Sequence, residues 1–309
     1  MLPSIQQVAQ KFPHFIRKGP RSEDFVVADV LDKLTKEAVA FIAESSKEQQ
    51  PYFLYMPLTG PHKPTLPHER FRGKTALKEY GDFVHQVDWT VGEVLNAIDA
   101  TGAADNTLVI FTSDNGSYMH RFDDPSKTDH VDDVKIQGFK AVNHRANGPL
   151  RGTKADVWEA GHRVPFFARW PNRIKSDSIS DVTVCLTDIY STCAAIIGTD
   201  MRDNAAGDSV SLLEVLEGTS NKRGAPVIHH SVSGMFAIRD GRWKLVAGNG
   251  SGGREAPKGK PFAKPYQLFD LEADLSESNN VAEENPDVVQ RLTQQLERLM
   301  NDGRSVQPR

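Results

Sequence analysis

Cysteine is scarce in this chain of 309 residues, with Cys185 and Cys193 the only two. They stand eight apart in an apolar stretch of helical character, which turns them to roughly opposite sides and argues against a mutual disulfide. They read as small core residues. No apolar run approaches the length of a bilayer span, so no transmembrane helix is expected. Residues 1–20 hold Lys11, Arg17, Lys18 and several prolines but no apolar signal region. Neither sign of charge is in large excess. The net charge of -4 argues against a nucleic-acid polyanion as the main partner, because proteins that bind one carry a basic surplus. What is present is ordinary: 39% hydrophobic and 25% charged residues exclude a disordered or fibrous chain. The length suffices for one large domain or two medium ones, and no internal repeat is visible.

Apolar residues at Val27, Leu31, Leu34, Ala38 and Phe41 recur every three or four positions and predict a helix within 25–42. Tyr52–Tyr55 read as a short strand, ended by Pro57 and the turn-rich Thr59-Gly60-Pro61-His62-Lys63-Pro64. Tyr80, Val84, Val87, Val91, Val94 and Ile98 predict a second helix that stops near Gly102. Thr107–Thr112 are apolar without alternation, as in a strand of a parallel sheet covered by helices on both faces. Residues 116–148 are polar and read as a long loop, a length usually tied to function or insertion. Val164–Trp170 predict a strand and Asp188–Ile197 a helix closed by Gly198. This succession points to an α/β fold with a mostly parallel sheet flanked by helices, over residues 1–203. Beyond Asn204 short strands are expected at 227–232, 235–239, 242–246 and 266–271, with Asp240-Gly241 as a hairpin signal. Residues 248–264, rich in Gly, Lys and Pro, are expected to be mobile. Asn285-Pro286 opens a last helix carrying Val289, Leu292, Leu296 and Leu299. Residues 204–309 are thus expected to form a small subdomain of antiparallel sheet plus helix.

Ligands of open α/β sheets bind at the carboxyl ends of strands, where Ser113-Asp114-Asn115-Gly116 falls. The Asp114 carboxylate and the Asn115 amide carbonyl are hard oxygen donors suited to calcium or magnesium, and Gly116 permits a sharp turn beneath an ion. Alone, the string is also an ordinary turn. His62 sits in another loop at an expected strand end, between prolines that restrict the backbone, and would suit proton transfer or an oxyanion contact. Alone, it is equally a surface histidine. Lys154, within Pro149-Leu150-Arg151-Gly152-Thr153-Lys154, offers a compact cation for an anionic group or a leaving oxygen, though most lysines are merely solvated.

Taken together, PYFLYMPLTGPHKP (51–64), YGDFVHQVDWTVG (80–92), ADNTLVIFTSDNG (104–116), NGPLRGTKADVWEAGHRVPFFARWP (147–171) and YQLFDLEADLSESNNVA (266–282) closely resemble the sulfatase family of the alkaline-phosphatase-like superfamily. The resemblance implies an alkaline-phosphatase-like fold and hydrolysis of a sulfate ester, of a sulfated carbohydrate or an aryl sulfate. It also implies a calcium ion, with magnesium as an alternative. By that resemblance Asp114 and Asn115 match the later pair of calcium ligands, His62 the histidine that contacts the sulfate, and Lys154 the lysine near the leaving oxygen. Glu159 and His162-Arg163 match family wording and read as structural. Members carry a Cys/Ser-x-Pro/Ala-x-Arg segment, modified to formylglycine, and an earlier aspartate pair. Neither occurs in these 309 residues. The expectation is therefore that the nucleophile lies upstream of this chain, that the chain alone is inactive and binds calcium weakly, and that the whole protein acts in the periplasm or outside the cell. Rival readings are a phosphomonoester or phosphodiester hydrolase of the same superfamily, a carbohydrate-binding protein without catalysis, and a truncated fragment without function.

Overall fold

The computed structural model describes residues 19–20, 22–48, 50–117 and 144–307. These fall into two compact units, one holding the residues up to 107 together with 144, the other 108–117 and 145–307. Most of the expected loop 116–148 therefore lies outside the described residues.

The first unit is built on two helices, α1 (Val30–Ser45) and α2 (Lys78–Ala100). Leu31, Ala38 and Ile42 on α1 and Tyr80, Phe83, Val87 and Ile98 on α2 are the buried apolar residues of the two helices, all at helical spacing. A buried hydrogen bond between Thr35 and Thr90, 3.1 Å, joins the helices. Asp82 accepts the amides of Gly73, Lys74 and Thr75 at 2.7, 3.0 and 2.8 Å, fixing the turn that leads into α2. Tyr52–Tyr55, expected as a strand, form none and pair with no strand among the described residues. The residues alternate between exposed and half-buried, leaving Phe53 and Tyr55 at 72% and 77% exposure. An apolar alternating run has strand character but becomes a strand only with a hydrogen-bonded neighbour.

In the second unit β1 (Val109–Thr112) leads, through α3 (Glu159–His162), to β2 (Phe166–Arg169). The two strands pair antiparallel, with Ile110 opposite Ala168. The parallel pairing expected for 107–112 is thus not the one described here, since the chain re-enters beside β1 in the opposite sense. Next come α4 (Asp188–Ile196) and α5 (Leu213–Leu216). The first turn of α4 is tied by Asp188, fully buried, whose carboxylate forms a two-point pair with Arg223 at 2.7 Å each and also accepts the amides of Cys185 and Val210.

Four strands follow, β3 (Val227–His230), β4 (Phe236–Asp240), β5 (Trp243–Val246) and β6 (Gln267–Asp270), in an antiparallel meander. The β4–β5 hairpin turns on Gly241-Arg242, one residue later than the Asp240-Gly241 signal, with Gly241 at φ +59 as the first loop position. The strand period of two divides the sheet's side chains. Ile238, Leu245 and Leu268 face Leu292, Leu296 and Leu299 of α6 (Pro286–Asp302). Met235, Ala237, Val246 and Phe269 face Val157 and Trp158. Both faces are therefore covered, one by the last helix and the other by the segment that contains Lys154.

Residues 248–264, expected to be mobile, are instead a packed loop. Its backbone is bonded internally (Ser251 N to Pro257 O and Gly252 N to Lys258 O, both 2.8 Å) and to the rest of the unit (Val157 N to Ser251 O, 2.8 Å). Glycine here serves close backbone packing, not freedom: a Cβ on Gly250 would stand 2.3 Å from the Pro257 oxygen.

Candidate active site

Beyond β1 the chain turns through Ser113-Asp114-Asn115-Gly116. The Gly116 amide donates to the Gly161 carbonyl at 3.1 Å, and a Cβ at Gly116 would lie 1.6 Å from the Ala160 oxygen, so only glycine lets this turn rest on α3. The next residue is clamped from the side. Asn147 accepts from the Ser117 amide at 2.9 Å and donates to the Ser117 carbonyl at 2.7 Å, while that carbonyl also receives the Lys154 amide at 3.1 Å. Asp114, Asn115 and Lys154 are thereby assembled on one backbone scaffold.

The turn carrying Lys154 has its own support. Gly152 and Ala155 take φ of +89 and +83, and Asp156, fully buried, accepts the Thr153 amide at 2.8 Å. The other oxygen of Asp156 takes the amides of Arg254 and Glu255 at 2.5 and 3.2 Å. Among the described residues the Asp114 carboxylate, the Asn115 amide group and the Lys154 ammonium have no partner. Two hard oxygens without a protein donor fit part of the shell of calcium or magnesium. No group of three or more His, Cys, Asp or Glu among the described residues could hold a metal by itself. A cation here needs further ligands.

His62 belongs to the first unit. It is exposed, with Nδ1 2.7 Å from the Lys63 carbonyl, and its loop rests on α2 where a Cβ at Gly60 would meet Val87 at 2.7 Å. The imidazole is thus steered by its own backbone on a fixed loop.

Behind the Lys154 segment lies a buried charge network of which the sequence reading found only one end. Lys244, fully buried on β5, reaches Glu159 at 3.1 Å and Glu277 at 2.9 Å. Glu277 accepts the Glu159 amide, and Arg163 and Arg239 each stand 3.7 Å from the Glu159 carboxylate. Burial pushes Glu159 up, but Lys244, Arg239 and Arg163 outweigh it and hold the group below its ordinary range. Burial raises Glu277, which shares the Lys244 cation with Glu159. The imidazoles of His162 and His229 lie 4.1 Å apart, centroid to centroid. Burial, then the Lys244 charge, lowers His162 to about 4, and burial, then His162, carries His229 well below 6.5. Both are neutral at pH 7. The signal for Lys244 was its parity: it alternates with Trp243 and Leu245, which places a charge on the face that Val246 buries.

The model of the sulfatase family matches residues 9–199, well over half the chain. The chain belongs to the sulfatase family. A second model, of the C-terminal part of N-sulphoglucosamine sulphohydrolase, matches residues 153–302. Among curated sulfatases the chain is 35% identical to N-acetylgalactosamine-6-O-sulfatase of Bacteroides thetaiotaomicron, over 90% of this chain and 52% of that protein. It is 31% identical to human steryl-sulfatase over 65% of this chain and 32% of that protein. Among solved structures it resembles a sulfatase of Bacteroides thetaiotaomicron described with glycosaminoglycan metabolism, at 34% identity and TM-score 0.77, covering 89% of this chain and 55% of that one. A Pseudoalteromonas sulfatase at 22% identity and TM-score 0.74, covering 92% and 56%, shares the fold. The fold class is that of these sulfatases, alkaline-phosphatase-like α/β, and the chain spans at most about half the length of the curated relatives named here. No described helix is long and apolar enough to cross a membrane.

Proposed function

We propose that the protein hydrolyses a sulfate ester, of a sulfated carbohydrate or an aryl alcohol, and that Asp114, Asn115, Lys154 and His62 serve that reaction. The observation that carries the reading is the Lys154 ammonium, without a partner among the described residues and tied through Ser117 and Asn147 to the Asp114 and Asn115 side-chain oxygens, which have none there either. An ammonium and hard-cation ligands carried on one backbone scaffold suit a dianionic transition state. Asp114 and Asn115 would hold a calcium ion, which when bound would neutralise charge on the sulfate oxygens. Breaking the bond between sulfur and the bridging oxygen leaves negative charge on that oxygen, and Lys154 would stabilise it. His62 would orient the sulfate or supply the proton that the departing alcohol needs. The nucleophile that the family resemblance implies, formylglycine, has no matching Cys/Ser-x-Pro/Ala-x-Arg string in these 309 residues.

Residues 1–203 would then belong to the α/β catalytic part and 204–309 to a smaller C-terminal subdomain, in keeping with a family match that ends at 199. Relatives named N-acetylgalactosamine-6-O-sulfatase and steryl-sulfatase support a small or saccharide sulfate as partner. The test is turnover by the native protein of matched aryl sulfate and aryl phosphate. Faster cleavage of the sulfate is expected, with a loss of at least about 100-fold in Lys154→Ala and in His62→Ala. A preference for phosphate would overturn the sulfatase reading, and a near-normal rate in either variant would remove that residue from the mechanism.

A further inference from the structure

Between Arg254 and Lys264 the chain carries four cations, Arg254, Lys258, Lys260 and Lys264, against one acid, Glu255, which is buried. Lys258, Lys260 and Lys264 are exposed, on a chain whose net charge is -4. Lysines that only confer solubility need no ordered backbone beneath them. These have one: the Lys260 amide donates to Asn249 Oδ1 at 2.9 Å, the Phe262 amide to the Ala247 carbonyl at 2.7 Å, and the Lys258 carbonyl accepts from Gly252. Phe262 takes φ +59, a conformation disfavoured for any residue with a side chain, and presents its ring 48% exposed, stacked on Phe236 at 6.1 Å. An exposed ring beside ordered cations is suited to the face of a sugar and to the acidic groups along it.

The loop is also joined to the Lys154 turn. A Cβ on Gly253 would stand 2.4 Å from the Ala155 carbonyl, so the two backbones are in direct contact, and Asp156 grips Arg254 and Glu255 from one oxygen and Thr153 from the other. Lys154 and the basic loop therefore keep a fixed relation to each other.

We propose that the loop 254–264 is a second anion site, which binds an acidic group of the substrate other than the ester that is cleaved. The substrate is then a saccharide chain bearing at least two acidic groups, sulfate or carboxylate. This rests on the sulfatase reading for the cleaved group but not for the binding itself.

The test is the double variant Lys258→Ala/Lys260→Ala in the native protein, with Lys258→Gln/Lys260→Gln as a second version and circular dichroism to confirm an unchanged fold. Fluorescence anisotropy would follow labelled tetrasaccharides carrying two sulfates, one sulfate, carboxylates without sulfate, or no charge. The doubly sulfated probe should bind about tenfold more weakly to either variant at low salt, with the gap closing as salt is added. Binding of the singly sulfated probe and kcat/KM on a small aryl sulfate should stay within about twofold of the parent, because neither reaches the second site. The carboxylated probe shows which acidic group the loop accepts. Unchanged affinity for every multiply charged probe would overturn the proposal, as would an equal loss for the singly sulfated one. Equally tight binding of a short DNA duplex, lost to the same extent in the variants, would reduce the loop to a general polyanion patch and overturn it too. If no aryl sulfate is turned over but the charge-dependent loss is seen, the sulfatase reading fails while the binding site stands.

Discussion

Replacing Lys244 by methionine keeps most of its length and removes its charge. The residue is fully buried, and its ammonium is the close cation shared by Glu159 and Glu277, at 3.1 and 2.9 Å. Lys244→Met leaves Glu277 without that partner, while Glu159 keeps only the arginines at 3.7 Å. Breaking a buried pair by removing one partner costs about 3–5 kcal/mol, a large part of the roughly 5–15 kcal/mol that holds a typical domain together. At about 2–4 °C per kcal/mol for a domain of this size, the melting temperature should fall by roughly 6–20 °C. The loss should depend on pH. Burial already raises Glu277, and removing the ammonium raises it further, so the folded variant binds a proton more readily than the unfolded chain. Its stability must then fall as pH rises from the ordinary glutamate range, 4.5, through the raised value. Urea unfolding from pH 4.5 to 8 should show a deficit that is largest at the alkaline end and shrinks toward acid. Lys244→Met/Glu277→Gln should recover part of it. A deficit under about 1 kcal/mol at pH 7.5 with an unchanged urea slope, or one that does not vary with pH, would refute the argument that this lysine compensates two buried carboxylates.

Gly116→Ala forces a methyl group into the Ala160 carbonyl, 1.6 Å from the ideal Cβ, so α3 or the Asp114-Asn115 turn must move; a stability loss of at least about 1–3 kcal/mol and a fall in turnover are expected in denaturation and rate assays, and wild-type values in both would contradict the tight seating. His162 titrates in the folded protein at about 4 against 6.5 for the free side chain, so the unfolded chain takes up the proton first and stability should decline as pH falls from 6.5 to about 4. His162→Gln should flatten that decline in urea titrations, and an unchanged slope would count against it. Calcium should raise the melting temperature of the native protein by mass action, and Asp114→Ala should shift the dose dependence to at least about tenfold higher calcium; identical dose curves would remove Asp114 from the metal shell.

Much of the fold could be read from apolar spacing, because helix and strand periods are local properties. Helix α2 was expected from Tyr80 to Ile98 and runs from Lys78 to Ala100, and the four strands of the meander and helix α6 fall within a few residues of their expected places. Pairing is not local. Tyr52–Tyr55 have the composition of a strand but no described partner, and the neighbour of β1 is an antiparallel strand from more than fifty residues later. The loop 248–264 looked mobile because glycine and proline were counted as freedom. Its order comes from contacts with Ala155, Asp156 and Val157, about a hundred residues earlier. At the candidate site, motif wording named Asp114, Asn115 and Lys154 as candidates. It could not show that Asn147 and Asp156 set their geometry, nor that a lysine on a distant strand compensates Glu159 from behind.

The segment around Lys154 also has a place in time. Val157 bonds Ser251, Glu159 bonds Glu277, and Trp158 packs on Phe269, so each partner is made by the ribosome roughly a hundred residues after the segment itself. Such long-range contacts form late, after the cost of closing the intervening chain has been met. The candidate lysine can therefore reach its final setting only once synthesis has passed residue 277. A nascent chain halted before that point would carry the site's wording without its shape.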